Sequence, residues 1–388
     1  MGIKGFSKTF EPIIIKQNDL KGLTGAIDAS VILYQSCLGM SSVSGLTDSL
    51  GTPTLHINVI ISKVLNFIKS NITQIWVLDF HDDDYKNSDK EIELLKRRKR
   101  KDEAAEKIIT LKKLQATNSQ STKDLFSDDS DSDLNNLDDL KDLDMSVKNN
   151  QIELICKAKS LIDSDQIEKK INQQEKITFS VTTQIVNDLK FILNSFDIMW
   201  CIAPRGFEAE HVCADLTKII NNSSLNSLKC DFVYSTDVDA LLYGAKQLVR
   251  SVKVKAKKIL QSYTLNTLLE ENKINQYDLI KIGIVLGSDH AHKTPNVGPK
   301  TVLKKINNIN LTEEQTKATG VFNKVLNIDE IKFHNLKDFA VQNNSDLKDF
   351  AVQNLSISFN SDKITTLLDW LESKNFNRDR IMKQIKSI

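Results

Sequence analysis

The stretch LTGAID at residues 23–28 is the clearest indication of the fold, because it is a short, mostly apolar run that ends in an acidic residue. The same pattern returns in IWVLD at 75–79, in a run at 197–202 that leads to Glu208, and in DFVYSTD at 231–237. Runs of this kind are typical of parallel strands that are buried on both faces. We therefore expect four such strands.

Helical patterns separate these predicted strands. TLHINVIISKVLNFIKSN at 54–71 carries apolar residues at helical spacing, and further helical patterns lie at 182–196 and 208–220. The alternation predicts an α/β fold with a doubly wound, mostly parallel sheet. In such folds ligands bind at the carboxyl ends of the strands, which is where the acidic residues stand.

The composition is that of a globular protein. The 388 residues are 40% hydrophobic, which suffices for one large core or two moderate ones. No run reaches the roughly 20 apolar residues that span a bilayer, and MGIKGFSKTF at 1–10 lacks the apolar core of a signal peptide. We expect a soluble intracellular protein with no membrane partner.

The five cysteines contain no CxxC pair and favour reduced thiols; they are Cys37, Cys156, Cys201, Cys213 and Cys230.

Charge is segregated along the chain, although the net charge is only +1. KRRKRK at 96–101 lies within a stretch rich in Lys, Arg and Glu at 86–113, which predicts a helix with few apolar anchors. Nine aspartates follow between Asp124 and Asp144. Residues 118–150 lack apolar periodicity, so we expect disorder there.

Seven acidic residues are expected at the carboxyl edge of the sheet: Asp28, Asp79, Glu208, Glu210, Asp237, Asp239 and Asp289. Taken alone, Asp237 and Asp239 could belong to a turn, and Glu208 and Glu210 could stabilise a helix N-terminus. Seven like charges in one cleft need compensation, however, and Mg²⁺ provides it through oxygen ligands. Two such ions promote phosphodiester hydrolysis, which is therefore the expected reaction. The sequence has no GxxxxGK[ST] or GxGxxG motif, which disfavours nucleotide hydrolysis and hydride transfer.

Five ordered blocks resemble the XPG and flap endonuclease family. They are MGIKGF at 1–6, AIDASVILYQ at 26–35, EAE at 208–210, TDVDALLYG at 236–244, and LGSD at 286–289 followed by VGPK at 297–300. The resemblance implies a PIN-like fold with a helical arch or cap and a helix–two-turn–helix motif. It also implies that the seven acids bind two Mg²⁺ ions, for which Mn²⁺ can substitute.

The resemblance implies DNA contacts on the arch helix and near the first acid. A lysine and an arginine of the family engage the scissile phosphate; Lys90 and Arg97 match them, with Lys86 as the alternative lysine. KRRKRK could equally be a nuclear-import signal or a solvated basic helix. Tyr34 matches a tyrosine that stacks on a substrate base, although an aromatic residue at this place is also typical of a core.

GSDHAHKTPNVGPKTVLKKI at 287–306 resembles the helix–two-turn–helix of the family. In that motif a hairpin and the following helix present N–H groups to a duplex phosphate. The resemblance implies that Gly298, Lys300, Lys304 and Lys305 grip the uncut duplex. The family hairpin also holds a K⁺ ion, which is expected here as well.

Three departures from the family pattern affect loops beside the acids. Phe80 stands where a glycine is usual, two extra residues separate Pro204 from Glu208, and His290 stands where a tyrosine is usual. The acids themselves are all retained. The chain ends in KQIKSI at 383–388, without the motif by which family members bind the sliding clamp.

Four regions are expected along the chain. They are an N-terminal nuclease region with the start of the arch (1–110), an acidic, largely disordered insertion (111–175), an internal nuclease region with the helix–two-turn–helix (176–310), and a C-terminal helical segment (311–388). The last region contains LKDFAVQN at 336–343 and again at 347–354, which favours a local duplication.

The leading hypothesis is a flap endonuclease-like, structure-specific 5′ nuclease that acts as a monomer on DNA with 5′ flaps or junctions, in replication, repair or recombination. A 5′–3′ exonuclease and a Holliday-junction or bubble-cutting enzyme of the family stay open. A catalytically inactive nucleic-acid-binding scaffold is the alternative of another class. Large DNA viruses carry nucleases that resemble this chain, so the expected compartment is the nucleus or a viral replication site.

Overall fold

The computed structural model describes residues 3, 5–38, 48, 54–80, 91–124, 166–175, 177–178, 181–220, 228–254, 257–335 and 360–388. These residues form two compact units. The first lies within Met1–Met40, Ser44–Leu94 and Val181–Ile388, and the second lies within Leu95–Ser180. All seven candidate acids belong to the first unit.

One sheet, with eight strands in the described residues, forms the centre of the first unit. The strands are β1 (Ile13–Ile15), β2 (Thr24–Asp28), β3 (Thr73–Leu78), β4 (Met199–Ile202), β5 (Phe232–Tyr234), β6 (Gln247–Val254), β7 (Lys257–Thr264) and β8 (Phe333–His334). Their order is β1-β7-β6-β5-β2-β3-β4-β8. The strands from β6 to β4 in this order run parallel to their neighbours, and β1, β7 and β8 pair antiparallel. The four predicted strands are β2 to β5, so the mostly parallel sheet is confirmed.

Helices connect these strands. They are α1 (Phe6–Thr9), α2 (Ala29–Leu38), α3 (Leu55–Lys69), α4 (Glu91–Asp124), α5 (Thr183–Ser195), α6 (Ala209–Lys218), α7 (Asp239–Leu242), α8 (Leu265–Asn272), α9 (Gln276–Leu286), α10 (Val302–Lys305), α11 (Glu313–Phe322), α12 (Ser361–Ser373) and α13 (Arg378–Lys386). Short 3-10 helices span Gln17–Leu20, Ile306–Asn308 and Ile328–Glu330. The second unit contains most of α4 and the helical residues 166–175.

Helices cover both faces of the sheet. Ile75 and Val77 of β3 point into a core that they share with the buried face of α6. Side chains alternate along a strand, so Trp76 is buried on the opposite face. Helix α3 lies on that face, where Gln74 Nε2 donates a 3.3 Å hydrogen bond to the carbonyl of Val64. The doubly wound α/β arrangement is therefore confirmed.

The prediction is incomplete at the edges of the sheet. Strands β6 and β7 form an antiparallel hairpin that carries Lys253, Lys257 and Lys258, and these charges obscure the apolar pattern of a strand. Strands β1 and β8 have only three and two residues.

Helix α4 continues to Asp124, so the disorder expected from residue 118 is wrong for residues 118–124. Good helix formers in LKKLQA at 111–116 extend the helix towards that end.

Several expectations lie outside the described residues. These are the disorder expected at 125–150 and both copies of LKDFAVQN. Cys201, Cys213 and Cys230 are buried free thiols, and burial raises the pKa of the Cys201 thiol to about 12. No helix in the described ranges is long and apolar enough to cross a membrane.

Candidate metal centre

Adjacent parallel strands bring the first acids together. Asp28 is the last residue of β2, and it lies beside Val77 of the neighbouring strand β3. Asp79 follows the end of β3 directly. Strand β5 pairs with the other side of β2, and Asp237 and Asp239 follow it. The carboxyl ends of these three strands therefore form one acidic edge of the sheet.

Asp28 lies at the centre of this edge and is fully buried. Its Oδ2 accepts a 2.7 Å hydrogen bond from the hydroxyl of Ser235, and its Oδ1 accepts a 3.2 Å hydrogen bond from the backbone N–H of Val31. Burial, followed by the charge of Asp79, raises the pKa of Asp28 to about 7. Asp28 is thus a carboxylate whose ionisation at neutral pH depends on nearby positive charge.

The start of α6 adds two acids to the edge. Glu208 is the N-cap residue of this helix and Glu210 lies in its first turn. Asp79 Oδ1 accepts a 2.9 Å hydrogen bond from the backbone N–H of Ala209, so Asp79 caps the helix. Burial, and then the charges of Asp28 and Asp79, raise the pKa of Glu210 well above its ordinary value. The helix start is therefore directed at the acids of β2 and β3.

Asp237, Asp239 and Asp289 form the other part of the edge. Asp237 Oδ1 accepts a 3.1 Å hydrogen bond from the backbone N–H of Asp239, and Ser235 Oγ accepts a 3.0 Å bond from the backbone N–H of Asp237. Burial, and then the charges of Asp237 and Asp289, raise the pKa of Asp239 well above its ordinary value. Asp239 Oδ1 is buried and has no hydrogen-bond donor within the described part of the chain.

The structure thus brings all seven predicted acids to one edge, as their mutual effects on pKa require. Among the described residues, no three side chains of His, Cys, Asp or Glu converge on one point at ligating distance. The acids form a rim rather than a closed cage. Mg²⁺ fits such a rim, because it retains several waters and completes its shell with substrate phosphate oxygens. The buried Asp239 Oδ1 supports this fit, since an uncompensated buried carboxylate is costly.

A group of aromatic rings next to Glu208 was not predicted from the sequence. The Tyr243 hydroxyl is hydrogen-bonded to Glu208, and His290 Nε2 lies 3.6 Å from Glu208 Oε1. His211 stacks on Tyr243 with 4.5 Å between ring centroids. The departure at His290 was a signal in the sequence, but only the fold shows that this residue faces Glu208.

The predicted DNA-contacting residues are described unequally. Arg97 lies on α4 in the second unit, and its side chain is outside the described residues, as are Lys86 and Lys90. Tyr34 lies on α2 in the first unit and is half-buried. Tyr34 therefore lies one to two helical turns beyond Asp28, and the contacts predicted for Lys86, Lys90 and Arg97 stay predictions.

The predicted helix–two-turn–helix begins after α9. Ser288 and Ala291 form an isolated antiparallel bridge, and the carbonyl of Gly298 accepts 2.9 Å hydrogen bonds from the N–H groups of Thr301 and Val302. Three exposed lysines follow: Lys300, Lys304 and Lys305. Helix α10 itself has only four residues. The loop and helix present an uncrowded basic surface.

The N-terminal segment is packed against this loop. Gly5 adopts φ +82°, and a Cβ at this position would lie 2.2 Å from Cγ of Pro299. The Thr9 hydroxyl donates a 3.2 Å hydrogen bond to the carbonyl of Pro299. The second glycine of MGIKGF is thus required both by its backbone conformation and by the close approach of the loop.

Comparison with known proteins agrees with this geometry. The family models of the XPG N-terminal domain and the XPG I-region match residues 1–104 and 197–289, which together are about half of the chain. Flap endonuclease 1 of Sulfolobus acidocaldarius is 26% identical over 312 residues, which cover 76% of this chain and 71% of the relative. Flap endonuclease 1 of Methanococcus aeolicus is 27% identical over 396 residues, with coverage of 100% and 95%.

A solved structure shares the fold. Flap endonuclease-1 from Methanococcus jannaschii superposes with a TM-score of 0.54 and 20% sequence identity, and the match covers 99% of this chain and 97% of that one. The two matching domains, the relatives and the acidic sheet edge lead to the same conclusion. The chain belongs to the XPG and flap endonuclease family of structure-specific nucleases.

Proposed function

We propose that this nuclease is a Mg²⁺-dependent 5′ endonuclease that cuts DNA near the base of 5′ flaps. The observation that carries the proposal is the rim of seven acids at the ends of β2, β3 and β5, at the start of α6 and in the loop after α9. One of them, Asp239, has a buried Oδ1 without a hydrogen-bond donor among the described residues. The names of the relatives support flap cutting, since two of them are flap endonucleases that match most of this chain.

The seven acids would hold two Mg²⁺ ions, and Mn²⁺ would substitute. When bound, the ions supply a metal-activated water as nucleophile and stabilise the leaving oxygen of the phosphodiester. Burial and neighbouring acids raise the pKa values of Asp28, Glu210, Asp237 and Asp239, so bound cations would compensate these four carboxylates. Ser235 orients Asp28 through its 2.7 Å hydrogen bond.

The basic loop would bind duplex DNA. Lys300, Lys304 and Lys305 are exposed and have no carboxylate partner among the described residues, so they are available to phosphates. Gly298 leaves open space for a close backbone approach, and a K⁺ ion in the hairpin is part of the proposal. Tyr34 would stack on a base, and Lys90, or Lys86, with Arg97 would engage the scissile phosphate.

The biological setting follows from this activity. DNA with 5′ flaps or junctions is the proposed partner, a single copy of the chain is the proposed active form, and the nucleus or a viral replication site is the proposed compartment. We also propose the four regions predicted from the sequence, with boundaries at 1–110, 111–175, 176–310 and 311–388.

Cleavage of end-labelled substrates tests the function. A 5′ flap, a nicked duplex and a Holliday junction would each be incubated with the protein in Mg²⁺ and in EDTA, and the products resolved on a gel. We expect Mg²⁺-dependent cutting near the flap base. Release of mononucleotides from the nick, or paired cuts in the junction, would replace flap cutting by an exonuclease or resolvase activity. Binding of all three without any cleavage would favour an inactive scaffold.

A further inference from the structure

His290 is buried beside a carboxylate of the acidic rim. Its side chain is only 1% exposed, and its Nε2 lies 3.6 Å from Oε1 of Glu208. This separation exceeds an ordinary hydrogen bond, but a small movement of either side chain would complete one. His290 follows Asp289 directly in the chain, so one short loop presents both an acid of the rim and a group that faces another acid.

Aromatic packing fixes the position of the imidazole. Phe322, near the end of α11, meets the His290 ring edge-to-face at 5.3 Å between centroids and 85° between planes. The same phenylalanine lies 4.9 Å from the ring of Tyr243, whose hydroxyl is hydrogen-bonded to Glu208. Phe322 thus supports two rings that both reach the same carboxylate.

We infer that His290, held by Phe322, is a positioning residue that orients the Glu208 carboxylate for metal binding. The inference rests on the proposed function, because it gives Glu208 the part of a metal ligand. Outer partners of this kind orient a ligand and typically change metal affinity by about 10- to 100-fold when they are removed. The imidazole N–H of His290 would be the donor to the Glu208 carboxylate.

Direct Mn²⁺ binding to DNA-free protein, followed by electron paramagnetic resonance of the free ion, tests the inference without any cleavage. His290→Phe retains a ring against Phe322 but removes Nε2, and we expect it to weaken Mn²⁺ binding about tenfold. His290→Gln supplies an amide N–H and is expected to restore affinity to within about threefold. His292→Phe is the matched control, since His292 lies on the same loop, is 65% exposed and pairs with Glu314.

Single-turnover cleavage of a 5′ flap gives the second readout. His290→Phe should raise the Mg²⁺ concentration for half-maximal rate about tenfold while flap binding in EDTA stays within about twofold. Unchanged Mn²⁺ affinity in His290→Phe would overturn the inference, and so would equal losses in His290→Phe and His290→Gln. If the wild type cuts no DNA, the proposed function fails, whereas the Mn²⁺ titration still decides the role of His290.

Discussion

The hydroxyl of Ser235 donates a 2.7 Å hydrogen bond to Asp28 Oδ2, across 207 positions of the chain. Ser235 Oγ also accepts a 3.0 Å hydrogen bond from the backbone N–H of Asp237. The serine therefore joins the ends of β2 and β5 and connects two acids of the rim. Its hydrogen bond lowers the pKa of Asp28, although burial and Asp79 outweigh it and leave that pKa at about 7.

Ser235→Ala should therefore impair metal binding more than folding. We expect a cleavage rate about tenfold lower at limiting Mg²⁺, because the substitution removes the group that orients Asp28 and favours its ionised form. Single-turnover rates over a range of Mg²⁺ concentrations measure this effect. Ser262→Ala is the matched control, because Ser262 is also a buried serine with a hydrogen-bond partner, Gln247, in the β6–β7 hairpin. Equal rates for the two variants would contradict the role of Ser235.

Asp28→Asn should flatten the pH dependence of stability in EDTA. The pKa of Asp28 is raised from 3.8 to about 7 in the folded protein, so its favourable contribution is complete below about pH 4 and is lost as pH rises through 7. Between pH 6 and pH 8 the free energy of unfolding of the wild type should fall by about 1 kcal/mol more than that of the variant, which corresponds to roughly 1–2 °C in Tm for a chain of this size. Thermal unfolding of wild type and variant at both pH values measures the difference. A Tm gap between them that is the same at pH 6 and pH 8 would refute the expectation.

Asp239→Asn should stabilise the metal-free protein and abolish its response to Mg²⁺. Asp239 Oδ1 is buried without a donor among the described residues, and neutralising it removes the repulsion from Asp237 and Asp289. We expect the Tm in EDTA to rise by a few degrees and the Mg²⁺-induced increase of the wild type to disappear. The measurement is thermal unfolding with and without Mg²⁺, with Asp329→Asn as an exposed control. A full Mg²⁺ response in the variant would exclude Asp239 as a ligand.

The lysines after the hairpin should act through phosphates. Replacing Lys304 and Lys305 by alanine should weaken duplex binding and reduce the slope of log K against log salt by roughly one per lost contact. Fluorescence anisotropy of a labelled flap in EDTA, at several salt concentrations, gives that slope. Lys69→Ala, an exposed lysine at the end of α3, is the control. An unchanged slope of log K against log salt in the double variant would show that the duplex does not contact these two lysines.

The centre of the fold could be predicted because its signals are local. The apolar runs that become β2 and β3 end in Asp28 and Asp79, and parallel strands that are buried on both faces need little else to be recognised. Edge strands cannot be recognised in this way. Strand β8 consists of Phe333 and His334 alone, and its place beside β4 depends on a tertiary contact in which the His334 ring stacks on Trp200 at 3.9 Å.

The candidate site divides in the same way. Six of the acids were recognisable because each ends or follows a strand or lies at the start of a helix, and the order of the strands then brings them together. Asp289 lies in the loop after α9 and was recognised from LGSD at 286–289. The residues behind them were not. Tyr243, His211 and Phe322 resemble ordinary core aromatics in the sequence, and their relation to Glu208 arises only when α6, α7 and α11 meet. No regular spacing of residues in the sequence predicts such contacts.

Single-turnover cleavage of a 5′ flap by wild type and Asp237→Asn, in Mg²⁺ and in EDTA, tests most directly whether the acidic rim is the catalytic metal centre. We predict that wild-type cleavage requires Mg²⁺, and that the variant is roughly 1,000-fold slower while its flap affinity in EDTA stays within about twofold. Asp329→Asn, an exposed aspartate, should cut as fast as wild type. Cleavage by Asp237→Asn at the wild-type rate, or wild-type cleavage that persists in EDTA, would show that the acidic rim is not the catalytic metal centre.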